Sequence, residues 1–203
     1  MMRVLLTICF LTFLASSALG QAAGTIYLCA DSLGYSCSIQ DTSPGIVKVH
    51  MIVDLPNGWA VDFGAPKPEC WTGATYLGEA IVTDIPLGNT QSDIGLTATI
   101  GIVGSGICSE GASNSPKYIG FMSYITTGQA PTCCEYPVIK TIDTYDEIPG
   151  PVGAVCSDLY SSSVDIVLMQ GGSAFINPNS SCPCMITVPA EKHTWGEIKA
   201  LYQ

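Results

Sequence analysis

The chain has 203 residues, 47% of them hydrophobic and only 12% charged, and its 17 acids against 7 Lys plus Arg give a formal net charge of −10. A surface so acidic repels phosphate backbones and anionic headgroups, which excludes nucleic acid as a partner. Ten cysteines in a chain of this size point away from a reducing compartment.

Arg3 precedes an apolar run from Val4 through Leu14 and then small residues ending in Ala18-Leu19-Gly20, the pattern of a secretory signal with a small-x-small cleavage site. The run falls short of the ~20 apolar residues of a bilayer span. Cys9 lies inside it, preceded by Leu6-Thr7-Ile8 rather than a small-residue acylation box, which argues against a lipid anchor. The expectation is a leader over 1–20, cleaved before Gln21, and a mature chain without a transmembrane segment, secreted or held at the cell envelope. Residues 21–203 fit one domain. Loss of Arg3 makes that domain one unit more acidic.

Strand-like segments follow in order: Thr25–Ala30, Ile46–Val53, Trp59–Ala65, Tyr76–Asp84, Leu96–Val103, Tyr118–Thr126, Tyr136–Ile142, Val152–Cys156, Ser163–Met169 and Gly172–Ile176. Period two is clearest in three of them. Val47, Val49, Met51 and Val53 share a side opposite Lys48 and His50; Leu96, Ala98, Ile100 and Ile102 oppose Thr97, Thr99 and Gly101; Val164, Ile166 and Leu168 line up. The apolar stretch from Ile94 to Cys108 is broken by Gly95, Gly101, Gly104 and Gly106, so it reads as a strand and not as a membrane helix. Pro-Gly, Gly-Asn, Asn-Gly and Ser/Gly clusters punctuate the strands. Many short strands with turn signals between them predict an all-β, disulfide-stapled β-sandwich, immunoglobulin-like or jelly-roll-like, with a closed barrel as the alternative. One helix closes the chain over 194–202: Thr194 and Glu197 form a capping box, and Trp195, Ile198, Leu201 and Tyr202 share a face as a candidate docking tail.

Nine cysteines lie beyond the leader: Cys29, Cys37, Cys70, Cys108, Cys133, Cys134, Cys156, Cys182 and Cys184. In an exported chain such a set predicts a disulfide framework, with one thiol left over. Cys29 and Cys37 flank a turn-forming stretch and suggest a local bridge. Cys70 with Cys108, and Cys133 or Cys134 with Cys156, Cys182 or Cys184, are further candidates. Neighbouring residues of a strand face opposite ways, so Cys133 and Cys134 should serve different partners, whereas Cys182 and Cys184 should point the same way. No second Cys or His pair stands at zinc spacing.

Reactive chemistry finds little purchase. The two histidines, His50 and His193, have no Gly-x-Ser-x-Gly elbow to serve, and His50 reads as a solvated position beside Lys48. Asp143, Asp146 and Glu147 share a loop that suits calcium, without the Asp-x-Asp-x-Asp-Gly pattern of a dedicated site; no other cofactor is implied. Gly101-Ile-Val-Gly104-Ser-Gly106 lacks the Lys-Ser/Thr of a phosphate loop. Asn179-Ser180-Ser181 matches the glycan acceptor pattern and marks an exposed loop.

Gly171-Gly-Ser-Ala-Phe-Ile-Asn-Pro178, Cys182-Pro-Cys184 and Thr194-Trp-Gly-Glu-Ile-Lys-Ala-Leu-Tyr202 together resemble the closing portion of a group of uncharacterised exported bacterial proteins. The resemblance covers about the last thirty residues, implies a bacterial source, and brings no activity with it. The reading that results is a secreted or envelope, non-enzymatic binding or structural module for an extracellular protein or glycan. The alternative is a secreted hydrolase of polysaccharide that pairs two carboxylates among Asp54, Asp62, Glu79 and Asp165. Acids facing each other across a cleft favour the hydrolase; dispersed acids favour the module.

Overall fold

The computed structural model describes residues 22–82, 85–87, 95–101, 116–139, 150–156 and 164–184. The leader, Cys108, the candidate calcium ligands Asp143, Asp146 and Glu147, His193 and the helix expected over 194–202 lie outside the described residues. Within them the chain is all β, with no helix, and so none long and apolar enough to cross a membrane. Twelve strands are present: β1 (Gly24–Cys29), β2 (Ser38–Ile39), β3 (Gly45–Asp54), β4 (Gly58–Pro66), β5 (Ala74–Ile81), β6 (Ile85–Leu87), β7 (Gly95–Gly101), β8 (Lys117–Thr126), β9 (Cys134–Pro137), β10 (Val152–Cys156), β11 (Val164–Gly171) and β12 (Ser173–Ile176).

Nine strands form one sheet in the order β5-β8-β3-β1-β11-β10-β4-β7-β6, and three form a second, β2-β12-β9. The large sheet cannot lie flat. Strands β3 and β4 stand third and seventh in its order, yet only Leu55, Pro56 and Asn57 join them. Pro56 and the left-handed Asn57 (φ 57°) turn the chain, and the Gly58 N–H donates to the Leu55 carbonyl at 3.0 Å. So short a link brings distant parts of the sheet over one another, and Cα atoms of β5 and β7 come within 8 Å. Leu55 plugs this arch and is 1% exposed. A methyl group on Gly58 or Gly153 would stand 2.7 or 2.6 Å from its Cδ2, so both positions need glycine.

The curled sheet and the small sheet share one core. Leu28, Val49, Met51, Phe63, Met122 and Tyr124 from the large sheet meet Tyr136, Ala174 and Ile176 from the small one. Its densest part is aromatic: the Trp71 ring lies 4.7 Å from Tyr124 and 6.2 Å from Tyr136 between centroids. The Tyr136 hydroxyl donates to the Ala65 carbonyl at 2.8 Å and receives the Tyr124 hydroxyl, which links β8 and β9 to β4 through satisfied polar groups. Asp41, 1% exposed, accepts from Trp71 Nε1 (2.6 Å) and Thr126 Oγ1 (2.7 Å), while its backbone N–H donates to Asn177 Oδ1 (2.8 Å). A buried carboxylate is tolerated here because each oxygen has a donor.

The strand expectations hold with two differences. Strands β2 and β6, of two and three residues, are too short to show a period. Strand β9 begins at Cys134 and ends at Pro137, ahead of the expected Tyr136–Ile142. On β11 the set Val164, Ile166 and Leu168 lines up as expected and turns outward, while Val167 and Met169 take the inner face.

The expected bridge between Cys29 and Cys37 is not formed. Cys29 lies on the outer face of β1 with Tyr27 and Ile52, whereas Cys37 belongs to the core, so the two thiols stand on opposite sides of the sheet. Cys37 bonds Cys184, with Cα atoms 5.5 Å apart, and Cys29 is free and buried. Cys70 pairs with Cys134, not with Cys108, because Trp71 anchors that turn beside β9 (Cα–Cα 5.8 Å). Cys133 pairs with Cys182 (Cα–Cα 5.8 Å), and Cys156 is disulfide-bonded as well. Cys133 and Cys134 do serve different partners, helped by a left-handed backbone at Cys133 (φ 64°).

Candidate functional site

Strand β11 is apolar on both faces, which is the pattern of a strand covered on both sides. Its inner face is covered. Its outer face is open: Ile166 is 57% exposed and Leu168 40%, with Val164 alongside. Leu168 pairs with Val152 and Ile166 with Ala154, and directly paired residues point the same way, but Val152 and Ala154 are buried, each 8% exposed, so the open row stops at β11. On the next strand Val152 pairs with Asp62 and Ala154 with Ala60. A groove of about 390 Å³ adjoins the open row, walled by Val138, Ile139, Gly150, Pro151 and Leu168. The result is an exposed aliphatic ledge of Val164, Ile166 and Leu168 on β11, a strand paired on both sides.

Asp62 stands in register with Val152 and, through it, with Leu168. It turns away from the core faced by Val61 and Phe63, yet it is 8% exposed, and its Oδ1 has no hydrogen-bond partner among the described residues. The other acids of the hydrolase reading are elsewhere: Glu79 on edge strand β5, where it accepts from the Tyr76 hydroxyl, Asp54 at the end of β3, and Asp165 on β11. No two of the four stand on neighbouring strands of the sheet. Among the described residues no cluster of three His, Cys, Asp or Glu is suited to hold a metal ion.

His50 is not the solvated residue that its place beside Lys48 suggested. It packs between the rings of Tyr118 and Phe121, with centroids 5.6 and 5.7 Å away, and its Nδ1 lies 3.1 Å from the Tyr118 hydroxyl. Lys48 Nζ sits 4.3 Å above the Phe121 ring. Burial lowers the His50 pKa, with Asp31 opposing and Lys48 assisting. Cys29 pairs with His50 across β1 and β3. The pair is not a nucleophile and its base, because burial first and Asp31 second push the Cys29 thiol up to about 12, whereas reactive cysteines are shifted down.

The same corner shows how an outer face is normally closed. Asp31 accepts the backbone N–H groups of Leu33 (2.9 Å), Tyr35 (3.2 Å) and Ser36 (3.0 Å), folding the 31–36 loop into a tight cap. Gly34, left-handed at φ 77°, lies against Tyr27 and Ile52. Beneath that loop Tyr27, Cys29 and Ile52 are buried. The 31–36 loop and the His50 cluster therefore complete the scaffold. Sequence reasoning missed the β11 ledge, although its signal was present: apolar residues at five of the six positions from Val164 to Met169, interrupted only by Asp165.

No protein-family model matches the chain, and no curated protein matches it. Among solved structures, the sixth cohesin from scaffoldin B of Acetivibrio cellulolyticus, crystallised in complex with a mutant dockerin, is similar over 77% of this chain and 99% of that one, with 14% identity and a TM-score of 0.48. A cohesin module from a Clostridium perfringens family 33 glycoside hydrolase is similar over 78% of this chain and 100% of that one, with 5% identity and a TM-score of 0.39.

Proposed function

We propose that the chain is an exported, non-enzymatic binding module whose β11 ledge receives a protein partner. The observation that carries this reading is the uncovered outer face of a strand that is apolar on both sides. A soluble domain leaves such surface open mainly where something else will cover it. The residues of the ledge are aliphatic, which suits packing against protein side chains; sugars would call for exposed aromatic platforms. Dispersal of Asp54, Asp62, Glu79 and Asp165 favours this reading over the hydrolase. Export rests on the leader pattern over 1–20 together with the disulfides, and a bacterial envelope or extracellular setting on the likeness of the last thirty residues. In finer terms we read the scaffold as a jelly-roll-like sandwich, since one sheet supplies both layers and its strands cross between them.

The test is photo-crosslinking in the native host's extracellular and envelope fraction, with benzoylphenylalanine replacing Ile166 in one sample and Lys48 in another. The expected result is a discrete protein adduct from position 166 alone, lost when Leu168→Asp is added. Equal adducts from both positions, or a polysaccharide chain shortened in the same incubation, would overturn the reading.

A further inference from the structure

A second groove, distinct from the β11 ledge, opens beside the Cys37–Cys184 bridge. It has a volume of about 610 Å³; Ala30, Ile39, Ile46 and Val47 line it together with the polar Ser38, Gln40 and Lys48. Ile39 and Val47 belong to the core or pack against it, so the floor is apolar and fixed, while Lys48 adds charge at one side. At its rim Ile46 is 66% exposed, and it pairs directly with Ile125 of β8, itself 50% exposed. Ile46 thus belongs both to the groove wall and to an exposed isoleucine pair, on a sheet face whose other outward positions here include Lys48 and Ser123.

The covalent geometry brings the end of the chain to this place. The Cα of Cys184 is 5.5 Å from that of Cys37, and Ser38 of the groove is the next residue after Cys37. Ten residues, 185–194, then precede Trp195. At ~3.3–3.6 Å per extended residue they reach about 35 Å, enough to lay the following segment along the groove in either direction. That segment carries Trp195, Ile198, Leu201 and Tyr202 on one side of a capped helical pattern, an apolar face of its own that needs burial. A tether so short holds the two faces at an effective concentration of about millimolar, so a weak contact suffices to keep them together.

We propose that the 194–203 segment docks, in its own chain, across the Ile46–Ile125 surface and into the groove beside Cys37, as a tail clasped to a finished core. The proposal is independent of the β11 ledge. It also gives the Cys37–Cys184 bridge a second task, which is to deliver the tail to its seat.

The test places benzoylphenylalanine at position 195 in the full-length oxidised protein and maps crosslinks by mass spectrometry in a mixture of isotopically light and heavy chains. The expected result is light–light and heavy–heavy links from position 195 to residues 38–48 or 125, lost in the Ile46→Asp, Ile125→Asp double variant. Light–heavy links would assign the surface to a second copy and overturn the proposal, as would links to the β11 face alone or no links at all. Deleting 194–203 supplies an independent readout: the core should stay folded while Ile46 and Ile125 gain reactivity towards hydroxyl radicals. Unfolding of the truncated chain would make the segment part of the core and likewise contradict the proposal.

Discussion

Strands β3 and β11 both carry apolar side chains on their two faces, yet they end in opposite situations. On β3 the inner face, Val49, Met51 and Val53, fills the core, and the outer Ile52 is buried beneath the 31–36 loop with Tyr27, Cys29 and Tyr118. On β11 the inner Val167 and Met169 pack in the core, and among the described residues nothing caps the outer Ile166 and Leu168 in this way. Among the described residues, the outer face of β3 is thus capped by a loop at Ile52, while Ile166 and Leu168 on β11 stay exposed. This difference carries the functional reading: the outer row of β11 stays exposed at Ile166 and Leu168, whereas the outer Ile52 of β3 is capped.

The comparison can be broken most severely at the shared inner layer. Met51→Ala, which empties a fully buried site, should cost about 2–5 kcal/mol and lower the melting temperature accordingly. Next comes the cover itself. Gly34→Val forces a β-branched residue into a left-handed backbone against Tyr27 and Ile52 and should cost about 1–2 kcal/mol. It should also open Cys29 to a thiol reagent that leaves the wild-type thiol unmodified at neutral pH, as mass spectrometry of the unreduced protein will show.

A smaller effect separates the aromatic seat of His50 from bulk water. Its folded pKa lies below the unfolded value of about 6.5, so the neutral ring is favoured in the fold and stability falls as the pH drops below that value towards the folded pKa. Denaturant titrations at pH 7.5 and pH 5 should therefore show a steeper acid loss for the wild type than for His50→Gln. The smallest effect is expected on the open ledge, where Ile166→Thr should change stability by no more than about 0.5 kcal/mol. A loss comparable to that of Met51→Ala would mean that Ile166 is core.

Period two was enough to find the strands and to show that two sets of side chains alternate, as at Val47 to Val53. It does not say which set is inside when both are apolar, so the outward turn of Val164, Ile166 and Leu168 on β11 could not be read from it. The bridges were hidden for a related reason. A thiol's partner depends on which side of the sheet it faces and on how far the sheet curls, and neither follows from the seven residues that separate Cys29 from Cys37. The arch at Leu55–Gly58 shows the same limit: Pro56, Asn57 and Gly58 announce a turn, but that the turn crosses the core, and does not close a hairpin, depends on strands that arrive later in the chain. His50 lost its solvated character to Tyr118 and Phe121, which are some seventy residues away.

Hydroxyl-radical footprinting of the native protein, alone and in its host's extracellular fraction, tests the central claim most directly. The account predicts that Ile166 and Leu168 are oxidised in the isolated protein and become protected in the fraction, while Val167 and Met169 stay unreactive in both. Oxidation of Val167 and Met169 with silence at Ile166 and Leu168, or reactivity at Ile166 and Leu168 that the fraction leaves unchanged, would contradict it.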